Sequence, residues 1–296
     1  MRPQAQLAVL VMMLAPRVTS CQDRPADTAD KGEADMNDDE VRRINQQGWD
    51  RRVAEADVWT VPVSSEEIAA ARRGDWSVVL TPIKPVPADW FGPVAGKDIL
   101  CLASGGGQQG PILAAAGARV TVFDASGAQL AQDALVVERE GLTLTLVQGF
   151  MHDLSVLPDA SFDLIFHPVS NCYAPEVEPV WLECFRVLRS GGALLAAFNN
   201  PVAYVFDPAD ETSEGPVARY RLPYADVEVL APDALAAQIA RDHTVEYSHT
   251  LDRQIGGQLR AGFLLAGLYE DADRGPPDQG WARFFPKYIA SRALKP

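Results

Sequence analysis

The sequence predicts an α/β fold in which a mostly parallel sheet is covered by helices on both faces. Two observations carry this. From Gly96 to about residue 200, short apolar runs alternate with helical stretches, and such strand–helix–strand repetition buries each strand from both sides. A glycine cluster follows the first of those runs directly, where a strand would turn into a helix. The 296 residues are 47% hydrophobic and 22% charged, a globular composition, and long enough to build a core without disulfides or metals.

Taken in order, residues 41–59 are amphipathic, with Ile44, Trp49, Val53 and Val58 among charged side chains. Ser64 and Glu67 stand at capping-box spacing and predict a helix that stops at Gly74. Pro82, Pro85, Pro87 and Pro93 then impose an extended segment unsuited to a central strand. Residues 41–95 are therefore expected to be an arm on the core, in which Trp49, Trp59 and Trp76 anchor arm to sheet. The core, 96–200, is expected to hold strands at 98–103, 119–123, 143–148, 162–166 and 193–198. Helices are expected at 108–117, 126–140 with Gly141 as stop, and 177–188 with Gly191 and Gly192 as stop. Residues 201–240 lose the rhythm, gain acids and prolines, and read as an insertion or lid. A helix at 251–262 and a strand at 263–269 follow within a C-terminal part, 241–296.

The glycine cluster reads Ala103-Ser104-Gly105-Gly106-Gly107-Gln108-Gln109-Gly110. Glycines between strand and helix let main chain lie close to a ligand, and Asp124, 19 residues after Gly105, ends the second strand where a carboxylate accepts from ribose hydroxyls. Together they specify a nucleoside ligand. The loop leaves two nucleosides open. Gly105-x-Gly107-x-x-Gly110 fits the dinucleotide fingerprint of nicotinamide or flavin oxidoreductases, while Ala103-x-Gly105-x-Gly107 fits a loop that holds S-adenosylmethionine.

Five stretches in register carry a resemblance: 99–109 (ILCLASGGGQQ), 122–126 (VFDAS), 148–154 (QGFMHDL), 161–165 (SFDLI) and 186–192 (RVLRSGG). The chain resembles the class I S-adenosylmethionine-dependent methyltransferases, above all the bacterial small-molecule group related to ubiquinone and menaquinone methyltransferases. The resemblance implies a Rossmann-like, doubly wound, seven-stranded sheet and S-adenosyl-L-methionine as cofactor. It implies cofactor contacts from Ala103, Ser104, Gly105, Gly107, Gln108, Asp124, Ala125, Met151, His152 and His167. Asp124 would accept from the ribose, Gln108 would reach the carboxylate of the amino-acid tail, and Ala125 and Met151 would flank the adenine. His167, at the end of the fourth strand, is the expected general base, since an imidazole titrates near neutral pH; Asn171 and Tyr173 would help line the pocket. The chain departs from the family's usual pattern at Cys101, Ala103 and Phe150, where an acid, a glycine and an acid are common.

The reaction expected is in-line transfer of a methyl group to a small-molecule acceptor. A nicotinamide- or flavin-dependent oxidoreductase and a non-catalytic binder of the same cofactor are the alternatives. With 26 basic against 40 acidic residues the chain carries −14, and no basic stripe offers itself to nucleic acid. Cys21, Cys101, Cys172 and Cys184 form no CxxC, and with four histidines no metal site is expected. Residues 1–40 read as a tail: the nine-residue apolar run 7–15 is too short to span a bilayer, and 22–40 holds eight acids and two bases. The expected location is the cytoplasm, with translation beginning near Met36; the competing expectation is a signal segment and a lipid on Cys21.

Overall fold

The computed structural model describes residues 36–207, 217–274 and 283–296. The tail before Met36, Cys21 included, and the stretch 208–216 of the expected lid lie outside the described residues, and from Met36 onward the chain is one unit. No helix among the described residues is long and apolar enough to cross a membrane.

Asn37 caps α1 (Asp38–Ala54). The capping box of α2 (Ser65–Arg72) forms as its spacing requires, with the Ser64 side chain accepting from the Glu67 amide and Glu67 accepting from the Ser64 amide. A short α3 (Ala88–Phe91) leads into the core. There β1 (Asp98–Leu102), α4 (Gln109–Ala115), β2 (Arg119–Asp124), α5 (Gly127–Glu140), β3 (Leu144–Gln148), β4 (Phe162–His167), α6 (Glu178–Val187) and β5 (Leu188–Asn199) follow in turn. Beyond β5 come β6 (Tyr224–Ala225), α7 (Asp226–Val229), α8 (Pro232–Asp242) and β7 (Tyr247–Ser248), then α9 (Gly257–Ala261), β8 (Leu264–Asp271) and β9 (Tyr288–Leu294).

Seven strands make the main sheet in the order β3-β2-β1-β4-β5-β9-β8. The first five are parallel, and β9 runs antiparallel between β5 and β8. Strand order reverses beside β1, so the carboxyl ends of β1, β2 and β4 open a crevice there. One apolar layer packs under α4 and the arm (Ile99, Cys101, Val122, Phe166, Trp90), and a second packs under α6 (Leu100, Phe123, Ile165, Trp181, Phe263). Two expectations need correction. The tail after residue 269 contains β9, whose Ala290-Ser291-Arg292-Ala293 centre lacks the β-branched run that marks a strand in sequence. The helix expected over 251–262 forms without a break from 251 to 261 and stops at Gly262, but its Asp252–Gly256 turn is π-helical rather than α-helical.

The 186–192 stretch serves the fold. Arg186 donates to Glu183, Asp159 and the Leu154 and Leu157 carbonyls, tying α6 to the loop before β4. Arg189 reaches Asp98 and Asp163, both at 2.8 Å, and so joins the amino-terminal ends of β1, β4 and β5.

Helix α1 lies close against the segment after α8. Asn45 donates to the carbonyls of Tyr173 and Val245 and accepts from the Val245 amide. At Gly48 a Cβ would stand 2.0 Å from the His243 carbonyl oxygen. A Gly48→Ala change gains about 1 kcal/mol of helix propensity, but here the obstacle is backbone and cannot rotate away. The variant is expected to be destabilised by about 1–3 kcal/mol, seen as a lower melting temperature in calorimetry; an unchanged or higher value would show that α1 does not pack this way.

Candidate active site

A cavity of about 510 Å³ opens at the carboxyl ends of the parallel strands, within the usual size of small-molecule sites. The structure brings eight of the expected residues to its wall: Ala103, Ser104, Gly105, Gln108, Asp124, Ala125, Met151 and His152. Gly107 and His167 are not on it.

At the end of β2, the two Asp124 carboxylate oxygens accept from the Gly105 amide (2.9 Å) and the Ser126 amide (2.9 Å). Burial pushes this carboxyl above its ordinary range, opposed by those amide bonds and reinforced by Asp50 nearby. Helix α1 closes over the same corner. Gln46 donates to the Ala125 carbonyl, and Asp50 accepts from the Ser126 hydroxyl and the Ala128 amide.

The glycine loop is spoken for by protein. The Gly105 amide goes to Asp124, and the Gly106 amide goes to the Gln129 carbonyl and to Asp133. Pro111, in the first turn of α4, has no amide to offer. The Gly105 and Gly106 amides are thus committed within the protein rather than offered to a ligand. A Cβ at Gly106 would meet the Trp59 carbonyl at 2.8 Å, and one at Gly107 would meet the Gln132 carbonyl at 2.8 Å. These two glycines thus let the arm and α5 approach the loop, which corrects the expectation that Gly107 faces the cofactor. Ala103 sits at φ 47°, the left-handed region where the family's usual glycine would be unstrained.

Gln108 departs from expectation in the same way. It borders the cavity, but its amide donates to the Val58 and Val61 carbonyls and holds the arm. His167 is fully buried in the α6 layer, edge-on to Trp181. Its Nδ1 lies 2.9 Å from the Leu102 carbonyl, which only accepts, so Nδ1 carries a proton. Its Nε2 lies 2.8 Å from Asn171 Oδ1, while the Asn171 amide nitrogen donates to Gln254. Burial drives its pKa below the ordinary value, against the two hydrogen bonds. With both nitrogens against protein oxygens and neither turned to the cavity, His167 is a core histidine and not the expected base.

Beyond strand three, Gly149, Phe150, Met151 and His152 border the cavity, and Gly149 is required because a Cβ there would enter the Phe123 ring at 2.4 Å. Trp49 and Trp59 reach the wall, whereas Trp76 packs edge-on against Phe91. Sequence reading missed the far wall, where Asn199, Tyr204, Tyr224, Glu246 and Tyr288 converge. Acids and tyrosines in a lid-like segment were a signal, but not one that locates partners.

Residues 100–196 match the methyltransferase domain family. The chain is 45% identical over 251 residues to the uncharacterized methyltransferase YbaJ of Bacillus subtilis (strain 168), covering 85% of this chain and 97% of that one. A shorter match, 34% over 119 residues, covers 39% of this chain and 30% of the sterol methyltransferase-like 2 of Botryococcus braunii. Among solved structures, an S-adenosylmethionine dependent methyltransferase from Mesorhizobium loti shares the fold with a TM-score of 0.55 at 18% identity, covering 70% of this chain and 94% of that one. The chain belongs to the class I S-adenosylmethionine-dependent methyltransferases, and S-adenosylmethionine is its cofactor. The family does not favour nicotinamide or flavin.

Behind the loop, Asp133 of α5 is fully buried, and burial pushes its carboxyl up to about 8. It is thus largely protonated at neutral pH when folded and ionised when unfolded. A folded pKa above the unfolded one means that this group's share of stability is present below about pH 4 and is lost as pH rises through about 8. Asp133→Asn keeps an acceptor for the Gly106 amide and removes the titration. Its melting temperature is expected to fall less than the wild type's between pH 5 and pH 8 in matched buffers; parallel curves would refute a buried, proton-binding Asp133.

Proposed function

We propose that this methyltransferase acts on a small molecule. The observation carrying that reading is the shape of the cavity. It continues from the strand edges to a far wall of aromatic and acidic side chains, between α1 and residues 199–206 and 224–246. A recess of this size and lining suits an acceptor that enters whole, and the net charge of −14 disfavours nucleic acid. The sterol methyltransferase name of one partial relative points the same way.

The cofactor's sulfonium supplies an electrophilic methyl group; what the protein must do is hold, align and exclude water. In this reading Asp124 accepts from the ribose hydroxyls, and main-chain carbonyls at 103–105 receive the ammonium of the amino-acid tail. Ala125, Met151 and His152 border the adenine. The arm and the segment after β5 close the acceptor space, where a misplacement of about 1 Å costs on the order of 100-fold in rate. The donor is made and used inside cells, which supports a cytoplasmic enzyme. A mass measurement of the mature amino terminus from its own cell checks this, and a lipid on Cys21 would overturn it.

S-adenosylhomocysteine at 100 times its dissociation constant is expected to stabilise the protein by about 2.7 kcal/mol, while NADH leaves the melting temperature unchanged. Asp124→Asn is expected to weaken S-adenosylhomocysteine about 10- to 100-fold by calorimetry, the worth of hydrogen bonds to a charged acceptor. With methyl-labelled donor and cell extract, label should enter the low-mass fraction. Label confined to protein or nucleic acid would refute the small-molecule reading.

A further inference from the structure

We propose that Asn199, Tyr204 and Glu246 form the acceptor subsite, that it takes a protic acceptor (a hydroxyl or an amine), and that the acceptor's proton passes to the Tyr204 oxygen. This rests on the small-molecule reading above and adds the acceptor's chemical class and the group that deprotonates it.

The three side chains come from separate elements. Asn199 ends β5 at the carboxyl edge, Tyr204 lies in the 3₁₀ turn Pro201–Val205, and Glu246 lies between α8 and β7. Asn199 Nδ2 donates to the Tyr204 oxygen at 2.6 Å, and that hydroxyl donates to Glu246 Oε2 at 2.6 Å. All three border the cavity, and each keeps some exposed surface there. A phenol oxygen offers one proton and two lone pairs. Glu246 takes the proton and Asn199 takes one lone pair, and beside the second lies the thiol of Cys172, a weak partner that a protic acceptor would displace. That is the equipment of a proton acceptor, with the next carrier already bonded behind it.

The pair is held in place. The Glu246 amide donates to Asp226 Oδ2 at 2.7 Å, and the Asp226 amide donates to the Glu246 carbonyl at 3.0 Å. Asp226 also accepts from the Tyr224 hydroxyl (2.8 Å) and from Gln238.

The step balances. A lone pair of the acceptor oxygen or nitrogen forms the bond to the methyl carbon as the carbon–sulfur bond breaks, and that bond's electron pair stays on sulfur. The acceptor's proton goes to the Tyr204 oxygen as the Tyr204 proton goes to Glu246, leaving a carboxylic acid that returns its proton to water on product release. Glu246 faces Tyr204 and Asp226, with Arg52 and Lys287 as the nearby cations and Cys172, Tyr173, Tyr224 and Tyr288 around it. Burial raises its carboxyl above the ordinary range while the Tyr204 bond lowers it. The ionised, proton-accepting form is therefore gained as pH rises, and the rate should rise with it.

The test uses the whole protein, methyl-labelled S-adenosylmethionine and a protein-free low-mass cell extract. Tyr204→Phe and Glu246→Gln are each expected to lower kcat for the labelled product about 100-fold or more, with S-adenosylhomocysteine affinity unchanged. Glu246→Gln should also lose the rise of kcat with pH. An infrared titration needs no acceptor. The wild-type minus Glu246→Gln spectrum should show a protonated-carboxyl band titrating above the ordinary glutamate range, and Tyr204→Phe should move that midpoint further up. Wild-type turnover in Tyr204→Phe, an unaltered pH profile in Glu246→Gln, or a Glu246 band at the ordinary glutamate range would each overturn the subsite. S-adenosylhomocysteine binding with no labelled small molecule would instead overturn the small-molecule reading beneath it, and absence of that binding the cofactor site itself.

Discussion

The Asp124 carboxylate is the joint on which the site depends. It holds the loop after β1 through the Gly105 amide and the turn after β2 through the Ser126 amide. The arm grips the same turn through Gln46 and Asp50. Three pieces of chain distant in sequence are thereby fixed to one corner, and the cavity is the space between them. An isolated buried carboxylate would be costly, and this one persists because amides from two directions share its charge. The same bonds commit the Gly105 amide to the fold, so the corner that builds the cavity also sets the shape of the glycine loop.

Much of this was legible because it is local. The apolar runs of β1 to β5, the capping box at Ser64 and the stop at Gly141 follow from short-range periodicity and backbone preference, and Asp124 from its spacing to Gly105. What was not legible depends on neighbours far along the chain. Asn45 meets Val245 across 200 residues, and Tyr204 meets Glu246 across 42. Nothing in the composition of either segment names its partner. Strand β9 was hidden for a different reason: wedged between two strands, it carries small side chains where a strand is usually recognised by branched ones.

His167 and Gly107 show how position can mislead. A histidine at a strand's carboxyl end lies at the right edge, but alternate residues of a strand point to opposite faces. Phe166 packs in the layer under the arm, and His167 turns into the layer of Trp181. Gly107 satisfies a ligand-loop pattern, but what presses against it is the Gln132 carbonyl. The arginines of 186–192, one of the stretches that marked the family, bind only acids and carbonyls of the fold. A family pattern mixes residues that make the scaffold with residues that meet the ligand, and only the geometry separates them.

The charges around the cavity fit the chemistry it houses. Asp124, Asp226 and Glu246 all border it, and burial raises the pKa of each, so the wall holds carboxylates that gain from a cation or from a proton. Before transfer the donor's positive charge meets that need. Transfer to a protic acceptor, with the proton taken by the wall, converts a cation and a carboxylate into neutral groups. Among carboxyls that burial already burdens, removing an opposite pair of charges avoids the desolvation that keeping both would entail. Transfer to an acceptor that gave up no proton would move the positive charge onto the product and hold it among those same acids, slowing its release. The arrangement of Asn199, Tyr204 and Glu246 is therefore what this electrostatic setting asks of an acceptor site: a route by which the charge is extinguished where it stands.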